Sequence, residues 1–322
     1  MDNRSDSADQ PALDLSPIVE GPLESVSSSD PGIAVDFPTS PIFSQPARRI
    51  ESEIPTLGNT FLFFALAVAV TLILGLAAIA AAQLLPAFRH QDFKTIALDA
   101  RLSIPSQALE YLALLGTTVL LFRSIWQRPF WQAIHWNASA IVRRWIPLLV
   151  AGVALGLLNG AASNVLPMPK EAPILNDLMR STTGAWLMFV FGTTMAPLME
   201  ELAFRGFLLP SLINFFRWLS HRKQLSDDFN APLPARQTSP LIVPVSILLA
   251  SVPFALLHSE QVSGAWAPVL LIGIVSVVLC IVRLWTRSLA ASAFVHATYN
   301  FTLFAGMAIA SDGFRHLDKL NN

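Results

Sequence analysis

The stretch "MAPLMEELAFRGFLLP", residues 195–210, sets Glu200, Glu201 and Arg205 inside an apolar run. The nineteen residues Ser181 to Met199 carry no charge, and neither do the eleven that follow Arg205. Such a run reads as helix at bilayer depth, where a carboxylate is costly unless it is paired or hydrated. On a helix, successive residues turn by ~100°. Glu201 and Arg205 are four apart, share a face and can form an ion pair. Glu200 lies about 140° round the axis from Arg205 and needs another partner. The spacing therefore separates a neutral structural pair from one acid that faces elsewhere.

The rest of the chain agrees with a membrane setting. Of 322 residues, 53% are hydrophobic and 13% charged, against about a quarter charged in soluble domains, and the mean hydropathy is +0.53. A net charge of −1 gives no reason to expect a nucleic-acid partner. The single cysteine, Cys280, excludes an intramolecular disulfide. No cleavable signal peptide is expected, because the chain opens MDNRSDSADQ and the first apolar run begins only near Thr60.

Residues 1–55 are acidic and rich in proline and serine, and they read as a disordered cytoplasmic tail that cannot bury enough apolar area to order itself. Residues 56–322 read as the transmembrane domain. Seven apolar segments follow the tail, approximately 60–85, 105–122, 145–166, 184–212, 241–258, 266–284 and 288–310. Each is near the ~20 residues of a bilayer crossing, and without strand alternation they are helices. The fourth is too long for one crossing at ~1.5 Å per residue. Pro197 is expected to break it, giving a short lead-in and then a helix that begins close to Glu200. The expected fold class is thus all-α, a polytopic transmembrane helical bundle of 7–8 spans. Glu110, in the second span, is expected near an interface. The segment "SIWQRPFWQAIHWNASAIVRR" carries Trp126, Phe130, Trp131 and Trp136 among basic residues and reads as a connector lying at the headgroups.

Lysine and arginine in the connections set the orientation. With the tail inside and seven crossings, thirteen fall on the inner side and seven on the outer. The N-terminus is therefore expected in the cytoplasm, in a plasma (inner) membrane.

Two further polar pairs occupy later spans. "FALLH" puts Phe254 and His258 on one helical face, and "HATYN" does the same for His296 and Asn300. Two histidines, an asparagine and an unpartnered glutamate on three helices are expected to converge, since each relieves the burial of the others. Counted from the helix ends, Glu200 and His258 come level. His296, only eight residues past Ser288, comes out closer to the inner face.

"EELAFR", "FALLH" and "HATYN", in that order and on separate helices, resemble the EExxxR, FxxxH and HxxxN/D motifs of the CPBP intramembrane proteases, the superfamily of CAAX prenyl endopeptidases and bacteriocin-processing or immunity proteins. The resemblance covers about residues 145–310. It implies a helical membrane fold with a cavity open to the cytoplasm, and endopeptidase activity. Carried over by position, Glu200 is the general base and His258 holds or polarises the attacking water. His296 and Asn300 donate to the oxyanion, Glu201 and Arg205 orient the helix of Glu200, and Phe254 packs beside the cavity. Glu200, His258 and His296 are also a zinc ligand set. With no HExxH motif, the reading taken is a glutamate-activated water without a cofactor, zinc being the alternative. The implied partners are the membrane and a peptide or protein substrate, with a lipidated C-terminus or a membrane-anchored peptide as candidates. A non-catalytic binding or immunity scaffold and a proton-coupled transporter are the competing classes. No inverted repeat supports the transporter.

Overall fold

The computed structural model describes residues 54–169, 177–224 and 239–320, and among these there are helices and turns but no strand. The expected acidic tail lies, apart from Ile54 and Pro55, outside the described residues. In chain order the helices are α1 (Leu57–Ala82), α2 (Phe93–Leu98), α3 (Ala100–Trp126), α4 (Phe130–Ala133) and α5 (Ser139–Ser163). They continue with α6 (Thr182–Thr193), α7 (Met195–Glu201), a π-helical segment (Leu202–Leu208) and α8 (Leu209–Gln224). The last three are α9 (Ile242–Leu257), α10 (Trp266–Thr286) and α11 (Leu289–Ala310).

Among the described residues, six stretches are long and apolar enough to cross a membrane, with Thr182–Ser220 counting as one. The protein is an all-α integral membrane protein. The remaining expected span, α9, is an apolar helix of 16 residues, or about 24 Å, short of a ~30 Å hydrocarbon core. α1 leaves Phe61, Leu72, Ile73 and Leu76 exposed, an apolar surface suited to lipid.

The long fourth segment breaks at Thr194 (φ −123°, ψ −77°). Proline offers no N–H to the carbonyl four residues back and its ring clashes with it. For Pro197 that carbonyl belongs to Thr193, the last residue of α6. The expected break therefore falls upstream of the proline, and α7 starts five residues ahead of Glu200 rather than beside it. Pro197 sits in the first turn of α7, where a missing N–H does no harm. After Glu201 the backbone widens into the π segment, which contains Arg205. Such segments recur at functional sites.

α11 is held close to α5. A Cβ at Gly152 would lie 2.6 Å from the Cβ of Thr298, and one at Gly156 2.8 Å from that of Thr302. Gly152 and Gly156 form a small-xxx-small spacing that lets two membrane helices approach. The start of α11 is buried as well. Ser288 caps it by accepting from Ala291 N (3.1 Å) and donates to the Asn137 carbonyl (2.7 Å), while Leu289 N donates to His135 O (3.0 Å). The helix thus begins beneath the 130–137 connector rather than at the surface. This accounts for His296 reaching the depth of its partners despite its short count from Ser288.

Two expectations need correction. The aromatic connector does not lie wholly on the membrane. Trp126 and Phe130 are buried and stack on each other, and Phe207 packs against both. Only part of the stretch, such as Trp131, stays exposed. Glu110 lies well inside α3 rather than at its end. It is buried, close to Gly75 of α1. It lies ten residues into α3, about 15 Å along the helix.

Candidate active site

α7 delivers both acids, and the next helices supply their partners. Glu201 and Arg205 are fully buried, and Oε1 of the acid stands 3.0 Å from Nη1 of the arginine. The four-residue pairing therefore survives the change from α to π backbone. Arg205 Nη2 donates to the Ser276 carbonyl (2.9 Å) and hydroxyl (2.7 Å) on α10. Its guanidinium lies over the Phe254 ring, 4.6 Å from the centroid, a cation–π contact in a dry site. Phe254 also meets the rings of His258, His296 and Phe204.

Glu201 has two further partners on α11. His296 Nδ1 is 3.0 Å from Oε1, and the Ser292 hydroxyl donates to Oε2 at 2.5 Å. Ser292 lies one turn before His296 on the same face, a signal present in the sequence at four-residue spacing and overlooked there. Ser276 carries no such signal, because only tertiary packing brings α10 to Arg205.

Glu200 is partly exposed and turns to the two histidines. Its Oε2 is 3.8 Å from His258 Nε2 and 3.7 Å from His296 Nε2. The other ring nitrogens fix the tautomers. His258 Nδ1 is 2.8 Å from the Phe254 carbonyl, and His296 Nδ1 faces the Glu201 carboxylate. A carbonyl and an ionised carboxylate only accept, so both Nδ1 atoms carry the proton. Both Nε2 atoms then present lone pairs toward Glu200. Three acceptors around one gap, each too far for a direct hydrogen bond, form a seat for a proton donor such as water.

The structure thus brings Glu200, Glu201, Arg205, Phe254, His258 and His296 together. Asn300 departs from expectation. One turn beyond His296, its Nδ2 donates to the Gly192 carbonyl of α6 at 2.7 Å, so one amide hydrogen is already used. The expected donor role of His296 is also narrowed, since Nε2 can donate only when the ring is doubly protonated. Among the described residues no group of three or more His, Cys, Asp or Glu is arranged to hold a metal ion.

Fold and centre define an integral membrane protein with a buried glutamate–histidine cluster built from α7, α9 and α11. Residues 182–302 match the family model described as type II CAAX prenyl endopeptidase Rce1-like. The matched stretch runs from the start of α6 into α11, a little over a third of the chain, and takes in every site residue. Neither the curated proteins nor the solved structures give a match.

Proposed function

We propose that the protein is an intramembrane endopeptidase that hydrolyses peptide bonds with a water activated by Glu200. The observation that carries this reading is the pair of fixed imidazoles, each turning an Nε2 lone pair toward the same carboxylate oxygen at 3.7 and 3.8 Å. A water in that gap gives one hydrogen to Glu200 and another to an imidazole, which turns its own lone pair toward a substrate carbonyl. Glu200 takes the proton as the water attacks and returns it to the leaving amine. His296, held by Glu201, can take up a second proton and then donate from Nε2 to the oxyanion, while the spare amide hydrogen of Asn300 is a second candidate donor. Glu201 and Arg205 balance each other's charge and so keep the acid next to Glu200 from competing for that water.

The substrate class that goes with this reading is a peptide or protein presented at the membrane, with a lipidated C-terminus as first candidate. A cytoplasmic N-terminus belongs to it as well, on the lysine and arginine bias. Purified full-length protein should cleave such a peptide, and the Glu200→Gln variant, still folded, should trap it uncleaved. Activity should persist after exhaustive chelation in a sample free of metal by elemental analysis. Cleavage by Glu200→Gln at the wild-type rate would sink the proposal, and rescue of a chelated, inactive sample by zinc would sink its metal-free chemistry.

A further inference from the structure

A further carboxylate sits inside a membrane span, and the chemistry of the glutamate–histidine centre makes no use of it. Glu110 is 8% exposed. Its Oε1 lies 3.4 Å from where a Cβ on Gly75 of α1 would stand. It lines a cavity of about 280 Å³ that α1, α2 and α3 enclose between them. Ser103, Ser106 and Gln107 line the same cavity. Counted from Ser103, the other three polar residues follow at three, four and seven, the spacing of one helical face. α3 thus turns a polar stripe into a cavity whose remaining wall is apolar, with Ile79 of α1, Ile96 of α2 and Met188 of α6.

The charge on that stripe has nothing to balance it. Among the described residues no lysine, arginine or histidine lines the cavity, and none of them forms an ion pair with Glu110. Thr71 is a polar neighbour on α1, but a neutral hydroxyl does not offset a charge. A carboxylate at bilayer depth is costly unless it is paired, so the cavity favours a ligand that brings a cation. The acceptors indicate which cation. An ammonium carries three donors and no acceptor. Glu110, the Ser106 hydroxyl and the Gln107 amide oxygen offer three acceptors within about one turn of α3. The volume sets the size, since it falls just below the roughly 300–1,000 Å³ of ordinary small-molecule pockets.

We propose that this cavity binds a small primary ammonium compound, its head on Glu110 and its short alkyl chain against the apolar wall. The site is separate from the glutamate–histidine centre and does not depend on the protein being a peptidase.

The test uses the full-length protein in detergent, titrated at pH 7 with hexylamine, hexanol or hexanoate and read by calorimetry and native mass spectrometry. Hexylamine should bind saturably and more tightly than hexanol, and hexanoate should not bind. Glu110→Gln should weaken hexylamine by roughly tenfold or more, the loss expected for a hydrogen bond to a charged group. Gly75→Val, which keeps the acid and places bulk beside its oxygen, should weaken it as well. Gly160→Val, on α5 where an added Cβ meets nothing within 4 Å, should leave it unchanged. If Glu110→Gln fails to fold, Gly75→Val and the order of the three probes carry the test. Hexanol binding as tightly, with the same sensitivity to both variants, would overturn the ammonium as ligand. Equal hexylamine binding by the wild type and both variants, or no saturable binding, would overturn the site.

Discussion

Arg205 belongs to two buried polar regions that solve the burial of charge in opposite ways. On one side its charge meets Glu201, which His296 and Ser292 also satisfy. Almost every polar atom there has a partner, and what is left over is an acceptor-rich gap around Glu200. On the other side the Nε atoms of Arg205 and Arg283 are buried without a hydrogen-bond partner. A closed network fixes geometry, whereas an unmatched buried donor costs stability. The difference teaches that one guanidinium can complete a closed network with its Nη atoms and still keep an unmatched Nε.

The largest effect should come from the gap itself. Glu200→Gln keeps the shape but removes the base, so turnover of a cleavable peptide should fall by roughly 10²–10⁴. Stability in detergent should hardly change, because Glu201 and Arg205 keep their partners. If both readouts fell together, the gap and the closed network would not be independent.

Glu201→Gln should act on stability and on both regions at once. It strands the fully buried Arg205 charge, and breaking such a pair by removing one partner costs roughly 3–5 kcal/mol. Denaturant or thermal unfolding in detergent measures this. A loss under about 0.5 kcal/mol, the scale of an ordinary surface change, would show that Arg205 does not need the acid. Ser292→Ala should be milder. It removes one bond to a charged group, worth about 1.5–3 kcal/mol, and leaves Arg205 and His296 in place. Peptide turnover should drop severalfold by loosening His296.

How much of this the sequence carried depends on whether a contact runs along one helix or between helices. The Glu201–Arg205 pair, and the sharing of faces by Phe254 with His258 and by His296 with Asn300, follow from four-residue spacing. The convergence of Glu200 with both histidines was legible too, because unpaired polar groups at bilayer depth have few alternatives. The π widening at Leu202–Leu208 was not legible, since no residue pattern there distinguishes it from α-helix. The burial of Glu110 was missed because α1, whose Gly75 lies beside it, is another span. The tie of Asn300 to Gly192 was missed because a glycine carbonyl leaves no mark in a sequence. The space lined by Arg128, Arg205, Arg217, Arg283 and Arg287 was hidden most completely. Its cations come from three separated segments, and a positive-inside count treats each as a topology signal.

The smallest expected effect is a pH dependence at His135, which lines that space as well. Partial burial, and then the nearby charge of Arg283, hold His135 below its ordinary value of 6.5. The other charged groups among the described residues lining the same space are the cations Arg128, Arg205, Arg217 and Arg287. At pH 7 the ring is therefore neutral, and it gains its proton as pH falls through the lowered value. In the unfolded chain the ring binds that proton more readily, so His135 makes stability decline as pH drops below about 6.5. Unfolding in detergent at pH 7.5 and pH 5.5 should show that decline in the wild type and a smaller one in His135→Gln. A decline of equal size in the variant would mean that the proton binds elsewhere, and the histidine would be a bystander on the wall of that space.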